Sequence, residues 1–489
     1  MSDELLQRVT YLEEEVERLK NQLRMNNGCR EEDDVNKKTT PETLDGQTES
    51  KPGVTISSKK TKKHSEQRPF DFSSHPRRHV ALRIAYLGWE YQGFAVQENT
   101  DKTVEARLFE ALLKTRLIQD RQTSNYQRCG RTDKGVSAFS QVITIDLRSS
   151  LFSPGLGVTL PDKTPSGTYP KTGTPAKNSA PAPGSELEYL KMLNRVLPQD
   201  IRALDWAPAA DGFSARFDCQ SRTYRYYFPR GPLDVELMAE AAERFVGTHD
   251  FRNVCKMDVG NGVLQFQRTI LAATIRPFEE NTSGNPEDPQ APHDPNDPYD
   301  PYELFIFEIK GLAFLYHQVR CMMALLLLIG QKLESPEIIN KLLDVGSNPR
   351  KPQYSMAVDF PLVLYGCDFP GLAWQGGGAE LHCASAALQQ QWARSAVETH
   401  VYRGMLRGLE AMGAESSKSC WLAEGSRMKN YKPLLERPCC ESLEARIEHF
   451  VKRGRLERDD GENGGEAVHR GKRSKHFHDS AQPSRTKLN

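Results

Sequence analysis

The sequence predicts an α+β fold of two sequential subdomains with mainly antiparallel sheets flanked by helices. Three observations predict it. Strand-like and helix-like segments recur in two successive blocks, roughly 79–205 and 206–370. Short turns or loops join most strand neighbours, which favours antiparallel pairing. No glycine-rich phosphate loop follows a strand, so neither a doubly wound parallel sheet nor a nucleotide seat is indicated.

Before the first block, residues 1–25 carry Leu5, Val9, Leu12, Val16, Leu19 and Leu23 at alternating spacings of four and three. That is an a/d seam, too short to separate a coiled coil from a single amphipathic helix docked on its own domain. Residues 26–78 lose all periodicity and hold Lys59, Lys60, Lys62, Lys63, Arg68, Arg77 and Arg78. Such a stretch is a solvated linker, a nuclear-import signal or an arm for nucleic acid.

Within the first block (79–205), HVALRIAYLG alternates as a half-buried strand should and ends at Gly88. Thr103 to Ile118 carries Val104, Leu108, Leu112 and Leu117 at helical spacing, and QVITIDL from Gln141 to Leu147 is a second strand. Residues 149–184, with seven prolines and few large apolar residues, are expected to be a disordered insertion. Ser185 and Glu188 form a capping-box pattern for a helix through Leu190, Leu193 and Leu197.

The second block (206–370) holds an aromatic strand, Thr223 to Phe228, and a helix from Val235 with Asp234 as N-cap. Strands follow over Leu264 to Ile275 and Leu304 to Ile309, with a proline-spaced exposed tip between Glu279 and Pro301. An apolar helix includes Met322 to Ile329. Residues 371–453 form a C-terminal extension with an amphipathic helix over Leu388 to Leu409, and 454–489 a charged, disordered tail.

Lys+Arg and Asp+Glu are both 65, so net charge points to no partner. A hydrophobic content of 38% is low for a compact enzyme of this length and implies polar tails or inserts. The run Met322 to Ile329 is too short to cross a bilayer, so no membrane association is expected. The ten cysteines are scattered without a C-x-x-C pair and read as reduced thiols.

Three constellations carry candidate chemistry. The first, Cys129-Gly130-Arg131-Thr132-Asp133-Lys134-Gly135, sets an Arg and an Asp between two glycines on a tight connection. Taken alone it reads more readily as a polar turn whose Asp caps its own backbone. In the second, Tyr224, Tyr226 and Phe228 share one face of a strand while Arg225 and Tyr227 share the other. Such a ladder is either core or a platform for stacking an unstacked base, with Arg contacting phosphate. In the third, Gly311 to Arg320 leads into the apolar helix, and His317 and Arg320 lie one turn apart.

Together these blocks resemble the TruA-type pseudouridine synthase family. GRTDKGV resembles that family's catalytic loop, G-R-T-D-x-G-V. The other two blocks resemble its R-x-Y-R-Y strand and its A-F-x-x-x-x-V-R helix start. They occur in the family order, between a family-like opening from Tyr86 to Phe94 and a closing strand near Pro361 to Tyr365. An extension from Tyr431-Lys432-Pro433 to Arg453 is similar to the eukaryotic branch that acts on positions 38 and 39 of the tRNA anticodon stem-loop.

The resemblance implies an active-site cleft between the subdomains, a homodimer, tRNA as partner, and a nuclear or cytoplasmic location. It implies Asp133 as nucleophile on a flipped uridine, ion-paired with Arg320, which would hold its pKa down and keep it ionised. Arg131 would enter the space left by the base. Tyr224 would stack on the base and assist proton removal at C5. Arg225, Phe314 and His317 complete the implied substrate-binding set. No metal and no cofactor is implied, since the reaction has neither a redox nor a phosphoryl-transfer step. Lys134 and Ser137 depart from the Ala and His common in bacterial members, which puts tRNA contacts there in doubt. Three other readings compete: an inactive RNA-binding scaffold, a thiol hydrolase using Cys129 with His317, and a scaffold assembled through the N-terminal heptads.

Overall fold

Ten strands pair into one continuous, mainly antiparallel sheet, and the strand that closes the second block joins the two halves. The computed structural model describes residues 70–161, 185–278, 301–414, 431–458 and 467–469. The N-terminal heptads, residues 26–69, most of the 149–184 insertion, the proline-spaced tip and the tail beyond 469 lie outside the described residues.

The first half is built on β1 (Arg77–Tyr86), followed by helix α1 (Val104–Lys114) and strands β2 (Gln127–Arg128), β3 (Ser137–Arg148) and β4 (Val158–Thr159). Helix α2 (Tyr189–Asn194) and strand β5 (Ile201–Pro208) complete it. β1 pairs with β3 on one side, and with β4 and β5 on the other. Thr103 caps α1, its hydroxyl accepting from the Ala106 amide at 3.3 Å. The core gathers Val80, Leu82 and Ile84 of β1 with Leu108 and Leu112 of α1 and Tyr189 of α2.

The second half runs β6 (Ser221–Pro229), α3 (Val235–Glu243), β7 (Gly247–Asp250), β8 (Gln267–Pro277), β9 (Leu304–Gly311), α4 (Gln318–Gly330), α5 (Glu337–Leu343) and β10 (Leu362–Asp368). Asp234 caps α3 by accepting from the Leu237 amide at 3.0 Å, as its sequence predicts. Every residue of α4 is buried, so this helix has no solvent face and anchors the second core. Each fully buried Leu, Ile or Met there contributes about 1.5–3 kcal/mol. The extension holds α6 (Ala379–Ala411), α7 (Leu443–Lys452) and the hairpin of β11 (Leu456–Arg458) with β12 (Ala467–His469).

The halves meet at β10. It runs antiparallel to β6 and parallel to β3, touching β3 only through Val363 with Ser137 and Leu364 with Ala138. That short parallel seam sits at the first residues of β3, directly after the loop that carries Asp133.

Several sequence expectations shift. Arg77 and Arg78, read as linker, already belong to β1, and Arg78 is fixed by Glu186 at 3.1 Å and by the Leu156 carbonyl. The first part of the 149–184 segment is ordered, because β4 supplies β1 with an edge partner. Ser185 does not cap a helix. Helix α2 starts at Tyr189 without a side-chain cap. Glu186 instead clamps Ser149 and Ser150, whose hydroxyl in turn donates to the Ser185 carbonyl. α6 is longer than predicted and does not bury an apolar face, since Trp392, Val397, Tyr402 and Met405 are exposed. Among the described residues no helix is long and apolar enough to cross a membrane.

Candidate active site

The Gly130–Val136 loop is braced on both sides. Before it, Arg128 forms an ion pair with the fully buried Glu105 at 2.6 Å, which also holds Arg121 at 2.8 Å. Thr132 is buried, and its hydroxyl shares a 2.7 Å hydrogen bond with the Tyr86 hydroxyl. After Asp133 the chain turns, the Val136 amide donating to the Asp133 carbonyl at 3.2 Å.

Two glycines make that turn possible. Gly135 has φ +76, and a Cβ there would stand 2.8 Å from Asp359 Oδ1. Gly88, in the strand-end segment before α1, lets the backbone pass so close that a Cβ would sit 2.0 Å from the Val136 carbonyl oxygen. The opening Tyr86 to Gly88 therefore holds the Asp133 loop from behind, a role its position in sequence did not reveal.

Around Asp133 the structure gathers His317, Arg320, Tyr224 and Phe314. His317 Nε2 lies 3.6 Å from Asp133 Oδ2. His317 adopts a left-handed backbone with φ 58, unusual for a residue other than glycine, and this turn aims its ring toward Asp133 while α4 begins behind it. Burial, with Arg320, Lys256 and Lys351 nearby, pushes the His317 imidazole down to about 4. It is neutral at pH 7, so its contact with Asp133 is polar rather than an ion pair.

The expected ion pair between Arg320 and Asp133 does not form. Arg320 Nη2 lies 3.7 Å from Asp359 Oδ2, and its Nε donates to the Ala357 carbonyl at 2.8 Å. Nor is the Asp133 carboxyl held low. Burial pushes it up to about 6, the pull of Arg320 and Lys256 being outweighed, with Asp359 adding to the rise. Burial is the dominant cause, and Arg320, which faces Asp359, offsets only part of it. At pH 7 Asp133 is still about nine-tenths ionised, and as a desolvated carboxylate it is a stronger nucleophile than a fully solvated one.

Tyr224 lies on β6 opposite Leu364 of β10, which is itself opposite Ala138 of β3. It packs against both hydrophobic cores and meets Phe314 edge-to-face at 5.1 Å. Phe314 thus orients the tyrosine ring. Burial pushes the Tyr224 hydroxyl well above its ordinary value, with the neighbouring Cys367, Cys129 and Asp133 adding to the rise. A neutral, buried phenol suits stacking and hydrogen-bond donation. These surroundings work against its service as the base at C5.

Arg131 is exposed and stands apart from the ion pairs that engage Arg121 and Arg128. Arg225 is not brought to the site. It points to the other face of the sheet, forms an ion pair with Glu308 at 2.5 Å and stacks over Tyr365 at 3.4 Å. Its alternation with Tyr224 along the strand already required this, so its implied place in the substrate-binding set has no support in the structure. Cys129 is buried and its sulphur faces Cys367, not His317. The adjacent Cys219 thiol, together with burial, pushes the Cys129 thiol up to about 12, which removes the thiol-hydrolase reading.

Sequence reasoning missed Asp359 and Lys256, the two charges that compete over Asp133 and Arg320. Neither belongs to a patterned block. A lone carboxylate before a predicted strand was the only available signal for Asp359. An apolar cavity of about 600 Å³, lined by Trp89, Phe139, Tyr227, Phe360 and Leu388 among others, holds none of the residues around Asp133.

The site sets a largely desolvated carboxylate beside a tyrosine held by Phe314, on a glycine-framed loop with an exposed arginine. A family profile for tRNA pseudouridine synthase matches residues 241–370. The chain is 47% identical over 476 residues to the human tRNA pseudouridine(38/39) synthase, covering 93% of this chain and 89% of that one. It is 40% identical over 322 residues to the tRNA pseudouridine(38/39) synthase of Saccharomyces cerevisiae, covering 65% of this chain and 63% of that one. A tRNA pseudouridine synthase A from Methanoculleus marisnigri is 31% identical over 291 residues, covering 59% of this chain and 82% of its own. The protein belongs to the TruA-type tRNA pseudouridine synthase family.

Proposed function

We propose that this protein isomerises uridine to pseudouridine at positions 38 and 39 of the tRNA anticodon stem-loop, with Asp133 as nucleophile on a flipped-out base. The reading for these positions rests on the relatives named tRNA pseudouridine(38/39) synthase. The observation that carries the chemistry is the placement of Asp133, an ionised and largely desolvated carboxylate, at the seam where Tyr224 and the start of α4 converge.

The reaction breaks the N1–C1′ bond and forms a C5–C1′ bond. The C5 proton leaves and N1 gains one, so substrate and product are isomers. Asp133 would form the temporary covalent bond. Tyr224 would stack on the uracil while it turns, and Arg131 would fill the gap in the RNA, where extrusion costs a few kcal/mol. Lys256, Arg320 and Lys351 surround the site with positive charge suited to a polyanion.

A homodimer belongs to the same proposal. It is supported by the exposed Trp392, Tyr402 and Met405 of α6, and by Leu388 of the same helix at the rim of the apolar cavity. A nuclear as well as cytoplasmic location is supported by the lysines at 59, 60, 62 and 63. The decisive assay maps pseudouridine in tRNA from cells lacking this protein, complemented with wild type or Asp133→Asn. Loss of modification at 38 and 39, restored only by the wild type, is expected. Restoration by the variant would overturn the nucleophile, and modification lost elsewhere would overturn the positions.

A further inference from the structure

Three thiols from distant parts of the chain converge behind the catalytic loop. Cys129 follows β2 and leads into the loop, Cys219 lies just before β6, and Cys367 belongs to β10. Their sulphur atoms all lie within 4.8 Å of one another, and Cys129 Sγ is 3.4 Å from Cys367 Sγ. Cys129 and Cys219 are buried and Cys367 is half-buried. Their apolar surroundings include Ala81, Val142, Ala215 and Phe369. Thiolates around a tetrahedral zinc at about 2.3 Å stand about 3.8 Å apart, a triangle that these sulphurs match with small adjustments.

A second observation is electrostatic. Arg222 of β6 reaches over this cluster, and its guanidinium donates only to neutral carbonyls: Leu312 at 2.6 Å, Arg216 at 3.0 Å and Cys129 at 3.1 Å. Among the described residues no carboxylate pairs with it. A half-buried cation beside three thiols lacks a counter-charge until those thiols are ionised.

We propose that Cys129, Cys219 and Cys367 bind one zinc ion as thiolates, with Arg222 as the counter-charge. Binding releases three thiol protons and changes no oxidation state, since a coordinated cation deprotonates its thiol ligands outright. Three thiolates and Zn²⁺ sum to one negative charge, which Arg222 neutralises. A monovalent copper ion would leave two, one of them uncompensated, so the balance selects the divalent ion. The fourth coordination place goes to an exogenous donor. The ion ties together the lead into the Asp133 loop, the strand of Tyr224 and the seam strand β10, so it is a positioning device and takes no part in the isomerisation. A C-x-x-C search misses the cluster because its members lie on three separate elements.

The test uses the full chain, purified under reducing conditions after growth with added zinc and dialysed against metal-free buffer. Elemental analysis is expected to find about one zinc per chain in the wild type and under about a fifth of that in Cys219→Ser and Cys367→Ser. Replacing the exposed Cys439 by Ser should change nothing. Should the serine variants fail to fold, reconstitution of the wild type with Co²⁺ decides instead, and an intense thiolate-to-cobalt charge-transfer band is expected. Negligible metal with all three thiols alkylatable after denaturation would overturn the proposal. So would a mass lower by one H₂, which marks a Cys129–Cys367 disulfide, or copper in place of zinc.

Discussion

Arg320 faces Asp359 rather than Asp133, with Nη2 at 3.7 Å from Asp359 Oδ2. A single cation thus serves two carboxylates, and the one it does not touch is the proposed nucleophile. Asp359 raises the Asp133 carboxyl while Arg320 lowers it. Asp359→Asn should therefore shift the Asp133 titration to lower pH, both by removing a negative charge and by freeing Arg320 to turn toward Asp133. The acid limb of the kcat/KM profile, expected near pH 6 in the wild type, should move to lower pH in the variant. An unmoved limb would show that Asp359 and Asp133 are not electrostatically linked.

Asp133 itself should carry opposite effects on activity and stability. Its folded-state carboxyl titrates at about 6, above the ordinary value of 3.8. The folded protein therefore holds this proton more tightly than the unfolded chain does. The stability this confers is fully present below the ordinary value and is lost as pH rises through about 6. Asp133→Asn avoids that loss. Its Tm should exceed the wild type's at pH 7.5, with the gap closing toward pH 4, while kcat falls by roughly three orders of magnitude or more. Thermal scans at both pH values and single-turnover assays check the two halves separately.

Much of this fold was legible because it is periodic. β1, α1, β3, β6 and α3 announce themselves through alternation, helical spacing and, for α3, the cap Asp234. The site was legible to the extent that Asp133, Tyr224 and Arg320 sit in dense local blocks. What stayed hidden is what depends on long-range pairing. The two blocks fuse into one sheet through two residue pairs at β10, which no local pattern encodes. The direction of Asp133's shift was misjudged because burial and the share of Arg320 taken by Asp359 are properties of the folded chain. α6 misled because its apolar residues face outward.

His317 has φ 58, a conformation that glycine adopts freely and β-branched residues resist. His317→Gly should fold at least as stably as the wild type, while His317→Val should lose about 1–3 kcal/mol. Both lack the imidazole beside Asp133, so both should lose roughly 10–100-fold in kcat/KM through poorer positioning. Chemical denaturation paired with kinetics on the same two variants separates backbone strain from side-chain function. Equal stability of the two would mean that the left-handed turn is relaxed at no cost.

Arg131 offers a test of base extrusion. It is exposed beside the ion-paired Arg128, and in the proposed reaction it would fill the space a uridine leaves. Its contribution should offset part of the few kcal/mol that unstacking and unpairing cost. Arg131→Ala should then lower kcat/KM by about 1–3 kcal/mol on an anticodon stem-loop whose target uridine is base-paired. The loss should shrink on a stem-loop in which the same uridine is mismatched, because less extrusion work remains. If Arg131 instead contacts phosphate alone, the loss will be equal on both substrates and will scale with salt. Comparing wild type and variant on the two stem-loops at two ionic strengths distinguishes these outcomes.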